Sequence, residues 1–352
     1  MTRYLIYTAC FFLLIWSCRR GSDVRPSGPQ PYTLNLPANF PQPVYDLSQN
    51  PLTVQGVALG RRLFYDPRLS RDSTISCGFC HQQFAAFAHF DHPLSHGIDN
   101  NTGFRSVPGL FNLIWQRDFM WDGGVNHLEI QPLTPITDPN EMGEDLAHLI
   151  AKLNADAKYR GLFNDAFGAG EINSQKVFKA LAQFMATMNS FDSKYDSVMR
   201  KAPGVQFTAE EASGYKIFQN NCASCHKEPL FTDGSYRNNG LPINASLHDA
   251  GRMRITNNTN DYLKFKVPSL RNIIKSPPYM HDGRFYDIFN VFEHYSSGII
   301  LQIPQTPTVD PLLRNGLPLT PSEQRDLYFF LNTLTDPGFI NSKALSEIVI
   351  TN

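Results

Sequence analysis

Apolar residues recur at helical spacing in several stretches of this chain. Val177, Leu181, Phe184, Met185 and Met188 fall on one face of a predicted helix. Leu327, Phe330, Leu331 and Leu334 do the same near the C-terminus. That second helix has a start signal: Thr320 as N-cap, Pro321 in the first turn and Glu323 closing a capping box. Thr208 and Glu211 form the same box ahead of Tyr215 and Phe218. No long alternating run argues for a large sheet, so the pattern predicts a mainly α body. Near the start, Leu5 to Trp16 is apolar but too short to span a bilayer comfortably.

The polar and apolar pattern also repeats. Pro108, Leu110, Asn112 and Ile114 match Pro268, Leu270, Asn272 and Ile274 at an offset of 160 residues. At the same offset, Phe119, Met120, Asp122 and Gly123 match Tyr279, Met280, Asp282 and Gly283. Repetition of a supersecondary unit predicts two related domains. Lys201, Ala202, Pro203 and Gly204 break helical periodicity, so the boundary is expected between Arg200 and Phe207. The division read from the sequence is 42–202 and 203–340, followed by a tail at 341–352.

Composition adds an address. The 352 residues are 42% hydrophobic and 18% charged, as in globular proteins. A net charge of -1 gives no electrostatic reason to expect a nucleic-acid partner. Arg3 followed by the apolar run reads as a signal peptide over 1–17. Ile15, Trp16, Ser17 and Cys18 look like a bacterial lipobox, which predicts a lipid anchor at Cys18 and a periplasmic, membrane-anchored location. The Pro-rich stretch from Arg19 to about Pro41 reads as a tether, 18–41.

The six cysteines decide the chemistry. Cys10 and Cys18 lie in the N-terminal segment. The other four form two C-x-x-C-H motifs: Cys77, Cys80 and His81, then Cys222, Cys225 and His226. This is the attachment signature of c-type haem. The two thiols form thioethers to the haem vinyls, and the adjacent histidine ligates the iron. A zinc site needs about four ligands in paired spacing, and a redox dithiol is expected near a βαβ pattern. Neither fits, so the chain is read as a protein with two covalently bound haem c groups and a cytochrome c-like domain around each.

Five histidines lie between the two motifs: His89, His92, His96, His127 and His148. His96 stands out, because Ser95, His96 and Gly97 sit in a loop-like stretch. A ligand on a loop can leave the iron, and peroxide chemistry needs an open iron position.

Together, several groups of residues make the chain resemble the bacterial dihaem cytochrome c peroxidases and their MauG-like relatives. They are the two haem motifs, Ser95-His96-Gly97, Trp121-Asp122-Gly123, Leu128-Glu129 and Pro139 with Glu141-Met142. Pro268 with Leu270-Arg271-Asn272, and Pro278 with Met280 and Asp282-Gly283, complete the set. The resemblance covers roughly Pro51 to Asp336. It implies that the N-terminal haem is peroxidatic and the C-terminal haem passes electrons to it. It implies His96 as the labile distal ligand and Glu129 as the distal acid/base carboxylate. A carboxylate there can move the proton that cleavage of bound peroxide requires, and burial should raise its pKa. The family's distal glutamine is replaced by Phe119.

The second ligand of the second haem stays open between Tyr295, His294 and Met280, in that order. The stretch from Phe292 to Gly298 contains no Met, and MauG-like relatives use Tyr at such a position. Met280 has a repeat partner in Met120, which argues for packing. Trp115 and Phe111 are candidates for the space between the haems, whereas Trp121 reads as packing. The resemblance also implies an interdomain Ca2+ ion, although Ser106 after Arg105 stands where a ligating Asn is usual.

The expected function is periplasmic reduction of hydrogen peroxide to water, with electrons from a small cytochrome c or cupredoxin. Two alternatives are carried: a MauG-like oxidase acting on a partner protein, and a non-enzymatic dihaem electron carrier. The resemblance includes homodimers as one mode of assembly.

Overall fold

The computed structural model describes residues 28–299 and 307–348. The predicted signal peptide, Cys10, Cys18 and the first part of the tether lie outside the described residues.

Two helix pairs organise the molecule. In the first half, α1 (Val54–Phe64) packs on α6 (Ser174–Ala186). Between them lie α2 (Cys77–Cys80), α3 (Leu133–Thr137), α4 (Leu146–Ala155) and α5 (Ala157–Phe167). In the second half, α8 (Ala209–Asn221) packs on α11 (Pro321–Asn332). α7 (Lys194–Met199) precedes this pair, α9 (Met253–Thr256) and α10 (Ile288–Glu293) lie within it, and α12 (Pro337–Ile340) follows. Among the described residues the sheet is one two-stranded ribbon, β1 (Tyr236–Arg237) antiparallel to β2 (Phe265–Lys266).

Both predicted capping boxes form. The Thr208 side chain accepts from Glu211 N–H, and the Thr320 side chain accepts from Glu323 N–H. Each Glu side chain in turn bonds its cap's backbone, so two otherwise orphaned N–H groups are satisfied at each end.

The close approach within each helix pair needs glycine. A Cβ on Gly60 would lie 1.9 Å from the Ala180 carbonyl oxygen and 2.8 Å from Phe184 Cβ. A Cβ on Gly214 would lie 1.9 Å from the Asp326 carbonyl oxygen and 2.8 Å from Phe330 Cβ. The two halves thus use one packing device. The 160-residue repeat is matched in backbone too. Phe119 N–H donates to Val125 O and Tyr279 N–H to Phe285 O. Met120 and Met280 both adopt positive φ, 68° and 74°.

Two cores result. The first gathers Leu59, Leu63 and Phe64 with Leu181, Phe184 and Met185. The second gathers Phe218 and Phe231 with Leu327, Phe330 and Leu331.

Three expected boundaries shift when read by contacts. Tyr195 on α7 is buried in the second core, so that core starts before the predicted break at 202. The C-terminal segment is not a free tail. Phe339 and Leu345 join the first core, Arg61 bonds Ser346 O and Lys343 O, and Tyr65 bonds Leu345 O. On the tether, Tyr32 N–H donates to Leu52 O, and Phe40 is buried against Trp115. Apolar residues are rarely left in water when a core is within reach, and the sequence period of such short segments is too brief to reveal it.

Candidate active site

Both haem motifs face one cavity of about 1410 Å³. Cys77, Cys80 and His81 line one part of it, and Cys222, Cys225 and His226 line another. A single small-ligand pocket is usually on the order of 300–1,000 Å³, so this space exceeds one such site.

Each motif presents its histidine in the same way. His81 Nδ1 donates to Phe87 O at 2.7 Å. His226 Nδ1 is shared between Phe231 O at 3.2 Å and Pro268 O at 3.1 Å. A carbonyl can only accept, so Nδ1 carries the proton and Nε2 keeps its lone pair. Phe87 and Phe231 both hold positive φ, 58° and 55°, which turns their carbonyls to this task. Burial pushes His81 down to about 4 and lowers His226, so both rings are neutral at neutral pH. Neutral imidazoles with a fixed tautomer are what an iron site needs. Thiol pair, oriented histidine and cavity together fit two c-type haems.

The cavity wall runs from one motif to the other. Phe111 and Trp115, the candidates for the intervening space, line it, and so does Trp121, which reads as packing. Trp115 is held by its indole N–H on Pro41 O at 2.7 Å, and Trp121 by its own on Ser106 O at 2.7 Å.

His96 does not line the cavity, though its neighbour Ser95 does and bonds the Cys80 sulfur. The loop gathers three histidines. His89 Nε2 and His92 Nε2 are 2.9 Å apart, and the His92 and His96 rings lie 5.0 Å apart. His96 Nδ1 is buried with no hydrogen-bond partner. Ile98 N–H donates to Glu141 O at 2.8 Å, tying the loop to the Pro139–Met142 segment.

Glu129 is buried next to the cavity but does not line it, unlike its neighbours Leu128 and Gln131. Its partners are the Tyr45 hydroxyl, Asn50 Nδ2 at 3.2 Å and His127 Nδ1 at 2.5 Å. Burial raises its pKa above the ordinary carboxylate value. His127 is half exposed, so this cluster reaches from solvent inward.

At the second motif the three ligand candidates meet on Asn239. Tyr295 lines the cavity and bonds the Asn239 side chain. Burial pushes its phenol up to about 12. His294 spends Nε2 on Asn239 O at 3.0 Å and does not line the cavity. Met280 lines it, with Asn239 Nδ2 at 3.4 Å from its sulfur. Met120 has the corresponding contact, from Gln131 Nε2 at 3.9 Å. Tyr295 lies on a π-helical turn, His294–Gly298, that continues α10. Such turns often mark functional positions.

Two cavity residues had no role in the sequence reading. Glu141 is pushed up to about 7, first by burial and then by Asp138. Lys266 is pushed down to about 8 by burial. A Glu or Lys carries no mark of burial in its own letter; for Glu141 the resembling motif was the available signal.

Comparison with known proteins agrees with this geometry. A family model described as "Di-haem cytochrome c peroxidase" matches residues 54–203, and one described as "Cytochrome c" matches 211–335. The methylamine utilization protein MauG of Methylorubrum extorquens is 35% identical, over 85% of this chain and 84% of its own length. Cytochrome c peroxidase Ccp of Escherichia coli is 33% identical over 70% of this chain and 54% of its own length. A MauG-like protein associated with microbial copper homeostasis superposes with a TM-score of 0.82 at 31% identity, over 90% of this chain and 99% of that one. No helix among the described residues is long and apolar enough to cross a membrane. With both motifs built for haem and likeness running through both halves, the chain belongs to the dihaem cytochrome c peroxidase and MauG family.

Proposed function

We propose that this protein is a MauG-like dihaem oxidase, which takes up hydrogen peroxide at the N-terminal site and draws electrons from a partner protein through the C-terminal site. The observation that carries the reading is Tyr295, whose phenol lies in the cavity beside the second cysteine pair, while His294 is spent on Asn239. A phenolate is a hard anionic ligand that favours oxidised iron, whereas Met ligation raises the potential. An oxidising second site suits removal of electrons from a protein donor.

When bound, the haems supply a peroxide-reactive iron at the first motif and an electron store at the second. The chain's own residues do the rest. His81 is held by Phe87 O with Nε2 free toward the cavity. The loop bearing His96 lets that side chain bind or withdraw. Glu129 exchanges protons with bulk water through half-exposed His127 and moves them to and from peroxide. Phe111 and Trp115 fill the space that electrons cross. Haem attachment places the enzyme outside the cytoplasm, with Cys18 as its lipid anchor.

A second reading keeps the same first site but takes electrons from a small cytochrome c or cupredoxin, reducing peroxide to water. It is favoured by His96 and by the likeness to the Escherichia coli peroxidase. One experiment separates the two: peroxide consumption measured with reduced cytochrome c, alongside EPR of the oxidised protein and of Tyr295→Phe. The oxidase reading expects slow turnover with cytochrome c and a low-spin EPR signal altered by the substitution. Fast turnover with an unchanged signal would overturn it in favour of the peroxidase.

A further inference from the structure

The junction between the halves contains a half-buried lysine whose ammonium hydrogen bonds go to neutral oxygens. Lys266 stands on β2 in the second half. Its Nζ donates to Gln116 Oε1 at 2.8 Å and to Asp118 O at 2.6 Å, both in the first half. Its backbone N–H donates to Trp121 O at 2.7 Å, again across the junction. The nearby carboxylates serve other partners. Asp122 accepts from Arg105 Nη1 at 2.5 Å, and Asp118 accepts from the Tyr236 hydroxyl at 3.1 Å. Lys266 lines the cavity that both haem motifs face.

The calcium ion implied for this junction does not fit the donors present. Calcium takes about 6–8 oxygen ligands, carboxylates and free carbonyls foremost. The Ser106 carbonyl already accepts from the Trp121 indole at 2.7 Å. Pro268 O accepts from His226 at 3.1 Å and Val267 O from the Thr232 hydroxyl at 2.6 Å. Among the described residues no group of three or more His, Cys, Asp or Glu side chains could hold a metal ion. An ammonium in the same junction would repel a divalent cation.

We propose that Lys266 is the resident cation of this junction and stands in for calcium, bridging the two halves and presenting fixed positive charge to the cavity. Asp118 and Asp122 act on this cation through charge, and the carboxylates of bound haem are of the right sign to add to that. Lys266 is thus a positioning residue: it sets how the halves meet and the electrostatic field in which the haems work. The inference holds whichever electron donor the enzyme uses.

The test uses the haem-loaded protein. Calorimetric titration with CaCl2 should show no stoichiometric binding, and EGTA should leave the melting temperature unchanged. Lys266→Met should lower the melting temperature, speed proteolytic cleavage in the loop at 200–208, and lower the midpoint potentials of the haems by removing a positive charge. Lys266→Arg should restore the potentials. One calcium bound per chain with micromolar affinity or better would overturn the proposal. So would a folded Lys266→Met protein with wild-type potentials. If Lys266→Met does not fold, the calcium titration of the wild type and the Lys266→Arg potentials decide alone.

Discussion

Asn112 and Asn272, which correspond in the two halves, close on the same residue, Ser190. Asn112 Nδ2 donates to Ser190 O at 3.0 Å and its Oδ1 accepts from Ser190 N at 2.9 Å. Asn272 Nδ2 donates to Ser190 Oγ at 3.0 Å, and its Oδ1 accepts from Asp336 N at 2.8 Å. Both hold left-handed φ, 54° and 57°, and both backbone N–H groups bond the chain just after a helix: Met188 O for Asn112, Leu334 O for Asn272. The repeat therefore meets itself at the seam between the cores.

Asn272→Ala removes a buried amide, leaves the Asp336 N–H without its acceptor while Ser190 Oγ keeps Asp336 Oδ2, and forces alanine into the left-handed region. Each component costs on the order of 1–3 kcal/mol, so a loss of about 2–4 kcal/mol is expected. Urea denaturation of Asn272→Ala and Asn112→Ala should show both destabilised. Asn272→Gly should recover the backbone part alone, about 1 kcal/mol.

Arg271 and Asp196 form a fully buried bidentate pair, at 2.8 and 2.7 Å, with the guanidinium over the Phe40 ring. Burial alone would raise the Asp196 pKa, but the Arg271 bonds and charge more than offset it, and the net direction is down. A carboxylate depressed in the folded state contributes stability that is present above its unfolded value, about 4, and lost as pH falls through the folded one. Arg271→Met should cost about 3–5 kcal/mol at neutral pH, because it strands a buried charge. The deficit should narrow on acidification as Asp196 takes up a proton. Denaturation midpoints of wild type and variant at about pH 7 and pH 3.5 check this.

How much of this was legible beforehand follows from what kind of signal each residue carries. Haem motifs, capping boxes and three of the four paired helices are local patterns that appear where their spacing placed them, whereas α1 (Val54–Phe64) had no prediction. Gly60 and Gly214 were not singled out, because a glycine in a helix looks merely unfavourable until the neighbouring helix is seen 1.9 Å from its missing Cβ. Phe40, Phe339 and Leu345 were assigned to tether, second domain and tail, since short segments have no period to read. Asn239 and Lys266 act through partners remote in sequence, and no local pattern announces that. Glu129 is legible only through resemblance, whereas His96 also stands out by its place in a loop-like stretch, and neither residue lines the cavity.

Tyr295 and Met280 give opposite expectations for the second site. Tyr295→Phe removes the only phenolic oxygen at the π-helical turn while keeping the ring's packing. On the proposed Tyr295 ligation, its visible and EPR spectra should shift, and the midpoint potential of the second haem should rise with loss of the anionic ligand. Met280→Leu keeps volume and removes the sulfur that Asn239 touches. It should leave both spectra unchanged and cost less than about 1.5 kcal/mol, the usual limit for such a swap.

Under the proposed function, Glu129 and Glu141 have separate parts in the acid chemistry of the first site. Glu129 is tied to Tyr45, His127 and Asn50, and burial raises its pKa above the ordinary carboxylate value. A carboxyl that passes protons in the rate-limiting step contributes roughly 10²–10⁴-fold, so Glu129→Gln should lower kcat for peroxide by about that factor. Glu141 faces the cavity near Cys80, with its pKa pushed up to about 7 by burial. It is neutral below that pH and an anion above it. Its own carbonyl anchors Ile98, so a new charge there acts on the loop that carries His96. Glu141→Gln should keep kcat within a few-fold but erase an inflection near pH 7 in the rate of peroxide binding. Stopped-flow binding rates between pH 5 and 9 for wild type and both variants test the division. An inflection that survives in Glu141→Gln and vanishes in Glu129→Gln would assign it to Glu129 instead.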